Sequence, residues 1–256
     1  LRIHVLTGFP RIFEGPLDEG MIRVAREKGA VEIRVVHLRE YTDDNHRSID
    51  DYPYGGGPGM ILKVEPVARA IDALPPAVGG RRETILLSPQ GEKLRQQMVH
   101  EFAEAGDVVL LVGRYKGIDE RIRSLVTREV SIGDYILSGG ELAALVLIDA
   151  MVRLVPGVLG DIDSAMGDSF ESGILDCSYY TRPEEFRGMH APEVLLSGNH
   201  GEIDRWRRRD ALARTLARRP DLLANAPLTD DDHRDLAGLG WSEARPPVER
   251  VRRRRR

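Results

Sequence analysis

One cysteine, Cys177, stands in 256 residues. No internal disulfide and no four-cysteine zinc site can be built from it, which fits a reducing compartment. Long apolar runs are missing as well. The longest, 143–150, is interrupted by Asp149 and falls far short of the ~20 residues of a membrane-spanning helix. The first ten residues carry no basic-then-apolar leader pattern. A cytoplasmic, globular protein is the expectation, of a length to bury most of its apolar surface without covalent staples. Several catalytic signatures are also absent. There is no G-x-x-x-x-G-K-[ST] phosphate loop and no G-x-S-x-G nucleophile turn, and the glycine-rich stretch 54–60 lacks both the lysine and the dinucleotide spacing. The seven histidines (4, 37, 46, 100, 190, 200 and 233) never fall at metal-ligand spacing. P-loop enzymes, triad hydrolases and zinc enzymes are therefore disfavoured.

The formal net charge of -4 argues at first against nucleic acid, but its distribution is uneven. Of 37 basic and 41 acidic residues, fifteen and ten fall in 201–256, so that end carries +5 and the preceding 200 residues carry -9. The arginine-rich run 250–256 is ordinarily a solvated tail and carries no argument by itself.

Short β-branched runs at 2–6, 31–36, 84–87, 108–112 and 129–132 read as strands. Helical patterns cover 12–28, 66–74, 92–105, 119–126 and 141–154. Alternation of this kind implies an α/β domain, a mainly parallel sheet with helices on both faces. It is expected over 1–159. Residues 160–172, rich in Gly, Asp and Ser, read as a flexible linker, and 173–256 as a small helical domain ending in the arginine tail. Its clearest helix, 202–219, has Ile203, Trp206, Ala213, Leu216 and Ala217 as an apolar stripe, with Pro220 ending it. Arg207, Arg214 and Arg218 form another face, either solvated or fit for phosphates.

Three unusual turns each follow an expected strand: Leu86-Leu87-Ser88-Pro89-Gln90-Gly91, Gly113-Arg114-Tyr115-Lys116-Gly117-Ile118-Asp119, and Ile132-Gly133-Asp134-Tyr135-Ile136-Leu137-Ser138-Gly139-Gly140-Glu141. In open parallel sheets the ligand crevice lies outside the carboxyl ends of the strands, so the three would line one pocket. Glycine lets main-chain groups approach a flat polar ligand such as adenine, and Tyr115 and Tyr135 add stacking surface. Two polar residues flank the expected domain junction. Arg153 ends an apolar helix, where a cation also simply complements the helix dipole. Asp168 lies in the connection, where a solvated loop is the default. If both faced the crevice they could act as anion stabiliser and base.

The strings Pro53-Tyr54-Gly55-Gly56-Gly57-Pro58-Gly59-Met60, Leu87-Ser88-Pro89-Gln90-Gly91, Gly113-Arg114-Tyr115, Ser131-Ile132-Gly133-Asp134-Tyr135 and Leu137-Ser138-Gly139-Gly140-Glu141 occur in this order. Pro156-Gly157-Val158-Leu159-Gly160, Tyr180-Thr181-Arg182-Pro183, Val194-Leu195-Leu196-Ser197-Gly198-Asn199-His200 and Trp206-Arg207 follow. Together they resemble the bacterial tRNA (guanine-N(1))-methyltransferases of the trefoil-knotted SPOUT class, collinearly over about 3–223. The resemblance implies a homodimer with a site shared between subunits, a knot in the carboxyl half of the first domain, and S-adenosyl-L-methionine as cofactor. It implies cofactor contacts at Leu86, Leu87, Pro89 and Gln90, then at Gly113, Tyr115 and Gly117. In the third turn it implies Ile132, Gly133, Asp134, Tyr135, Ile136, Leu137, Gly139 and Gly140.

The same resemblance implies Asp168 as general base and Arg153 as its partner at the guanine just 3′ of the anticodon. The tRNA anticodon stem-loop is expected against His46, Asp50, Ser197, Asn199, Arg207 and Arg208, although His46 also suits an ordinary exposed loop. Lys116 stands where the family commonly has Glu, so its role stays open, and Mg2+ is left without an assigned ligand. Two other readings remain: a knotted RNA-binding protein without catalysis, and a methyltransferase of the same class acting on ribosomal RNA.

Overall fold

Among the described residues ten strands are formed: β1 Arg2–Thr7, β2 Glu32–His37, β3 Asp50–Asp51, β4 Ile61–Leu62, β5 Glu83–Lys93, β6 Asp107–Val112, β7 Gly117–Ile118, β8 Arg128–Ser131, β9 Glu185–Phe186 and β10 Met189–His190. The helices are α1 Gly20–Glu27, α2 Val64–Asp72, α3 Gln96–Ala105, α4 Glu141–Val152, α5 Glu193–Leu196, α6 His200–Arg218, α7 Pro220–Leu223 and α8 Asp230–Gly238. This computed structural model describes residues 1–158 and 167–242. Contacts divide the chain into two units, Leu1–Ile162 and Asp163–Arg256.

The first unit is built on five parallel strands in the order β2-β1-β6-β5-β8. Central β6 is buried along its whole length, as a strand covered on both faces must be, and its sequence Asp-Val-Val-Leu-Leu-Val is correspondingly apolar after the first residue. Its side chains alternate between two cores. Val108, Leu110 and Val112 join Met98, Phe102, Leu147 and Ile148 on one face, while Val109 and Leu111 join Val67, Ala70 and Ile122 on the other. Helices on both faces of a mainly parallel sheet are thus the observed architecture.

All five expected strands form, with three local differences among the helices and one strand. The expected helix 12–28 begins only at Gly20, because Gly15 and Gly20 take positive φ and Pro16 opens a separate short 3-10 turn. The expected helix start at 92 is still strand. β5 runs to Lys93, with a register shift against β8 between Leu87 and Glu92 that expels the intervening turn from the ladder. Residues Glu120–Leu125 form a 3-10 helix, capped by the Asp119 carboxylate accepting from the Arg121 N–H at 2.9 Å. A small sheet, β3-β4-β7, had no signal in the pattern.

In the second unit α6, α7 and α8 gather Ile174, Cys177, Leu212, Leu223 and Leu236 into a separate core. The buried residues of α6 are Ile203, Ala211, Leu212 and Thr215; of the expected stripe, Leu216 packs half-buried against this core, Trp206 and Ala213 are half-buried, and Ala217 is exposed. Thr215 tolerates burial because its hydroxyl donates to Ala211 O at 2.7 Å and accepts the Leu175 N–H at 3.0 Å. Pro220 follows a break at Arg219 and itself opens α7. The β9–β10 hairpin appears where no strand was expected. Residues 167–172, the described part of the expected linker, form turns, with the Phe170 N–H donating to Ile174 O at 2.8 Å. The rest of that segment and the arginine tail lie outside the described residues.

Candidate active site

The carboxyl ends of β5, β6 and β8 open into a cavity of about 430 Å³. Its walls come from the three turns. Leu86, Leu87, Pro89 and Gln90 line it from the first, Gly113, Tyr115 and Gly117 from the second, and Ile132, Gly133, Tyr135, Ile136, Leu137, Gly139 and Gly140 from the third. Of the expected cofactor contacts only Asp134 is not on the wall. Its side chain is 84% exposed and pairs with Lys93 Nζ at 2.7 Å, because Gly133 at φ +152 turns the chain there.

Glycine is required at two places around this rim. A Cβ on Gly91 would collide with the backbone of Glu129 and Val130, so the first turn can return to β8 only there. A Cβ on Gly139 would stand 2.6 Å from the Arg114 side chain. The second and third turns are laced together by an N–H of Gly140 donating to Gly113 O at 2.9 Å and by a bridge between Arg114 and Gly139. Tyr115 holds φ +66, an unfavourable setting for a bulky residue of the kind often retained at functional sites. Burial and the neighbouring Asp50 carboxylate both push its phenol pKa up.

Two arginines given no role by the sequence also shape the wall. Arg114 and Arg123 line the cavity and both are paired. The Arg114 Nε donates to both oxygens of buried Glu141 at 3.0 Å. Arg123 pairs with Glu129 and, at 2.8 Å, with Glu120, and donates to the Gln90 side-chain oxygen at 2.8 Å. Arg114 and Glu141 are 27 positions apart, a pairing that no local pattern announces. Lys116, also on the wall, donates its backbone N–H to Met60 O at 3.1 Å, so the glycine-rich stretch 54–60 reaches the cavity edge.

Of the remaining expected site residues, Arg153, His46 and Asp50 belong to the first unit and Asp168, Ser197, Asn199, Arg207 and Arg208 to the second. Arg153 is exposed and caps the carboxyl end of α4 in the first unit, while half-buried Asp168 lies in the turns of the second. His46 is exposed, with its backbone N–H on the Asp44 carboxylate at 3.0 Å, and Asp50 flanks Tyr115. Asn199 caps α6 through its side-chain oxygen, and the Ser197 hydroxyl donates to Val194 O at 2.8 Å. Arg207 is exposed beside Asp204 at 3.8 Å. Arg208 differs. Both its donors hold the buried Asp232 carboxylate at 2.8 Å, and the guanidinium beside it keeps that carboxyl down to about 2 against the opposing effect of burial. Arg214, expected on the same face as Arg207, is half-buried and donates to the Ser178 hydroxyl at 2.9 Å. Among the described residues no helix is long and apolar enough to cross a membrane.

The family model described as tRNA (Guanine-1)-methyltransferase TrmD matches residues 1–225. A tRNA (guanine-N(1)-)-methyltransferase of Moorella thermoacetica is 52% identical over 245 residues, 95% of this chain and 98% of its own. Proteins of the same name from Dictyoglomus turgidum and Geobacillus kaustophilus are 51% and 52% identical, over 91% and 90% of this chain and 94% of each relative.

Proposed function

The chain belongs to the tRNA (guanine-1)-methyltransferase family, and from that membership we propose that it transfers a methyl group from S-adenosyl-L-methionine to ring nitrogen 1 of a guanine in tRNA. One observation carries the reading: three glycine-bearing turns, far apart in sequence, converge on a single cavity at the carboxyl edge of a parallel sheet.

The cavity suits that cofactor. Its volume of about 430 Å³ lies in the range of small-molecule pockets. Leu86, Leu87, Ile132 and Leu137 offer apolar wall, and the glycines bring main-chain groups within reach of an adenine edge. Arg114 and Arg123 are already neutralised by carboxylates, so a sulfonium would not meet their bare charge. When bound, the cofactor supplies an activated methyl group.

The chain's own residues have the rest to do. Nitrogen 1 of guanine holds a proton at neutral pH and is a poor nucleophile until that proton leaves. The Asp168 carboxylate is the base that accepts it, and Arg153 stabilises the charge arriving on the oxygen at position 6 by a charge-assisted hydrogen bond. The target is the guanine 3′ of the anticodon, whose removal from its stack is least costly in a loop. His46 and Arg207, both exposed, are placed on the RNA, with Ser197 and Asn199 shaping the turn before α6; Arg208 is assigned to the internal pair with Asp232 instead.

The active form is a homodimer with a shared site. Its support is α4, which apart from Glu141 and Asp149 is apolar on every side, so that Leu142 and Val146, 55% and 49% exposed, offer a face for a second copy to cover. The trefoil knot is assigned to the segment from β6 to α4, where the third turn bonds back to the second. The cytoplasm, where tRNA is processed, is the assigned location. Magnesium is given no ligand.

The test is methyl transfer from labelled S-adenosyl-L-methionine to tRNA transcripts carrying guanine or adenine next to the anticodon. Only the guanine transcript should be labelled; labelling of both alike, or of neither, overturns the reading. Asp168→Asn should lose at least about a hundredfold in single-turnover rate while retaining cofactor affinity, and a near-normal rate would remove Asp168 from its role.

A further inference from the structure

We propose that Glu141 is a positioning residue for the cofactor cavity, and that with Arg114 and Thr7 it forms a clamp that fixes the second and third turns relative to each other. This rests on the cofactor reading given above. Glu141 is the first residue of α4 and is only 2% exposed. Both its oxygens take the Arg114 Nε at 3.0 Å, and one also accepts the Thr7 hydroxyl at 3.0 Å. Thr7 closes β1, Arg114 belongs to the turn after β6, and Glu141 follows directly on the turn after β8. One buried carboxylate therefore joins three chain segments, one of which brings Arg114 to the cavity wall.

The surroundings leave the clamp little freedom. The Arg114 guanidinium lies over the Phe9 ring at 4.1 Å, and the Phe9 N–H donates to the Thr7 hydroxyl oxygen at 3.0 Å, which orients the hydroxyl proton toward Glu141. On the other side Gly139 packs so closely that a Cβ there would overlap both members of the pair. A buried ion pair is a weak source of net stability compared with apolar residues of the same volume, whereas its directional bonds do fix geometry. The geometry fixed here is that of a cavity read largely by main-chain groups, where displacement of a wall by a fraction of an ångström misaligns several hydrogen bonds at once.

Calorimetry of S-adenosyl-L-methionine binding to the full chain tests the clamp, with steady-state kinetics beside it. Glu141→Gln should raise the cofactor Kd and KM by at least about tenfold, with kcat at saturating cofactor and the Kd for tRNA both close to wild type. Thr7→Val, which leaves the ion pair intact, should raise Kd less, and Arg114→Lys combined with Glu141→Gln should be no worse than the more damaging single change. A folded Glu141→Gln variant with the wild-type cofactor Kd overturns the proposal, as does equal loss of cofactor and tRNA affinity. If Glu141→Gln does not fold, Thr7→Val and Arg114→Lys decide by the same measurements, their unchanged Kd overturning it. Wild-type protein that fails to bind S-adenosyl-L-methionine overturns the methyltransferase reading and the clamp together; wild-type binding with unaffected variants overturns the clamp alone.

Discussion

The two ends of the parallel sheet in the first unit use the same chemistry for opposite purposes. At the amino end Asp107 opens β6 with its side chain fully buried, and takes Arg2 Nε at 2.8 Å, Arg82 Nε at 2.6 Å and the Val78 N–H at 3.1 Å. Burial pushes this carboxyl up, but the hydrogen bonds from Arg82 and Arg2 outweigh it and hold the pKa down to about 2. At the carboxyl end Glu141 is equally buried, yet its partner Arg114 is also cavity wall. One carboxylate ties strand starts together and shuts the sheet. The other is tied through Arg114 to the wall of an opening where three glycine-bearing turns meet. A buried arginine–carboxylate pair does not in itself mark a site; what faces it does.

Breaking the sealed end should have the largest effect. Asp107→Ala leaves two largely buried guanidiniums without their carboxylate and should cost about 3–5 kcal/mol in urea unfolding, while the folded fraction still binds cofactor with wild-type affinity. A loss of affinity larger than the loss of stability would erase the contrast between the ends. At the open end the balance should invert. Gly139→Ala inserts a methyl group against Arg114 and Glu141 and should cost about 1–3 kcal/mol, read mainly as weaker cofactor binding by calorimetry and only slightly in the unfolding midpoint. The smallest effect concerns His4, in the strand beside Asp107. It is fully buried with neither ring nitrogen hydrogen-bonded, and burial lowers its pKa despite the attraction of Asp107. The folded protein therefore takes up a proton at His4 at lower pH than the unfolded chain. Stability should decline as pH falls below the ordinary histidine value of 6.5, and His4→Leu should flatten that slope in unfolding midpoints between about pH 6.5 and 5; an unchanged slope would acquit His4.

Much of this was legible in the residues. The five parallel strands announce themselves because short β-branched runs recur between helical patterns, and the three turns stand out because glycine-bearing stretches follow three of those runs. What was misread has local causes. The apolar spacing of 12–28 continues across Pro16 and Gly20, and only the backbone torsions there reveal the break. The helix α8 carried a signal that sequence reasoning passed over: Thr229 caps it in a capping box with Asp232. The same Asp232 holds Arg208, grouped with Arg207 as an expected RNA contact, in an ion pair that Arg207 lacks. Neighbours in sequence on a helix lie about 100° apart around its axis, so one arginine of such a pair can meet a buried carboxylate while the other stays in solvent.

The sequence by itself determined the alternation of strands and helices, the positions of the glycine turns, the charge asymmetry between the two ends of the chain and, through long collinear strings, the family. Only the tertiary structure decided which charges are consumed internally and which border the cavity. Ion pairs such as Arg114–Glu141 and Arg208–Asp232 join residues 27 and 24 positions apart. Spacing encodes the period of an element, but the partner of a buried charge is chosen by how elements pack, and that information resides in no single stretch of chain.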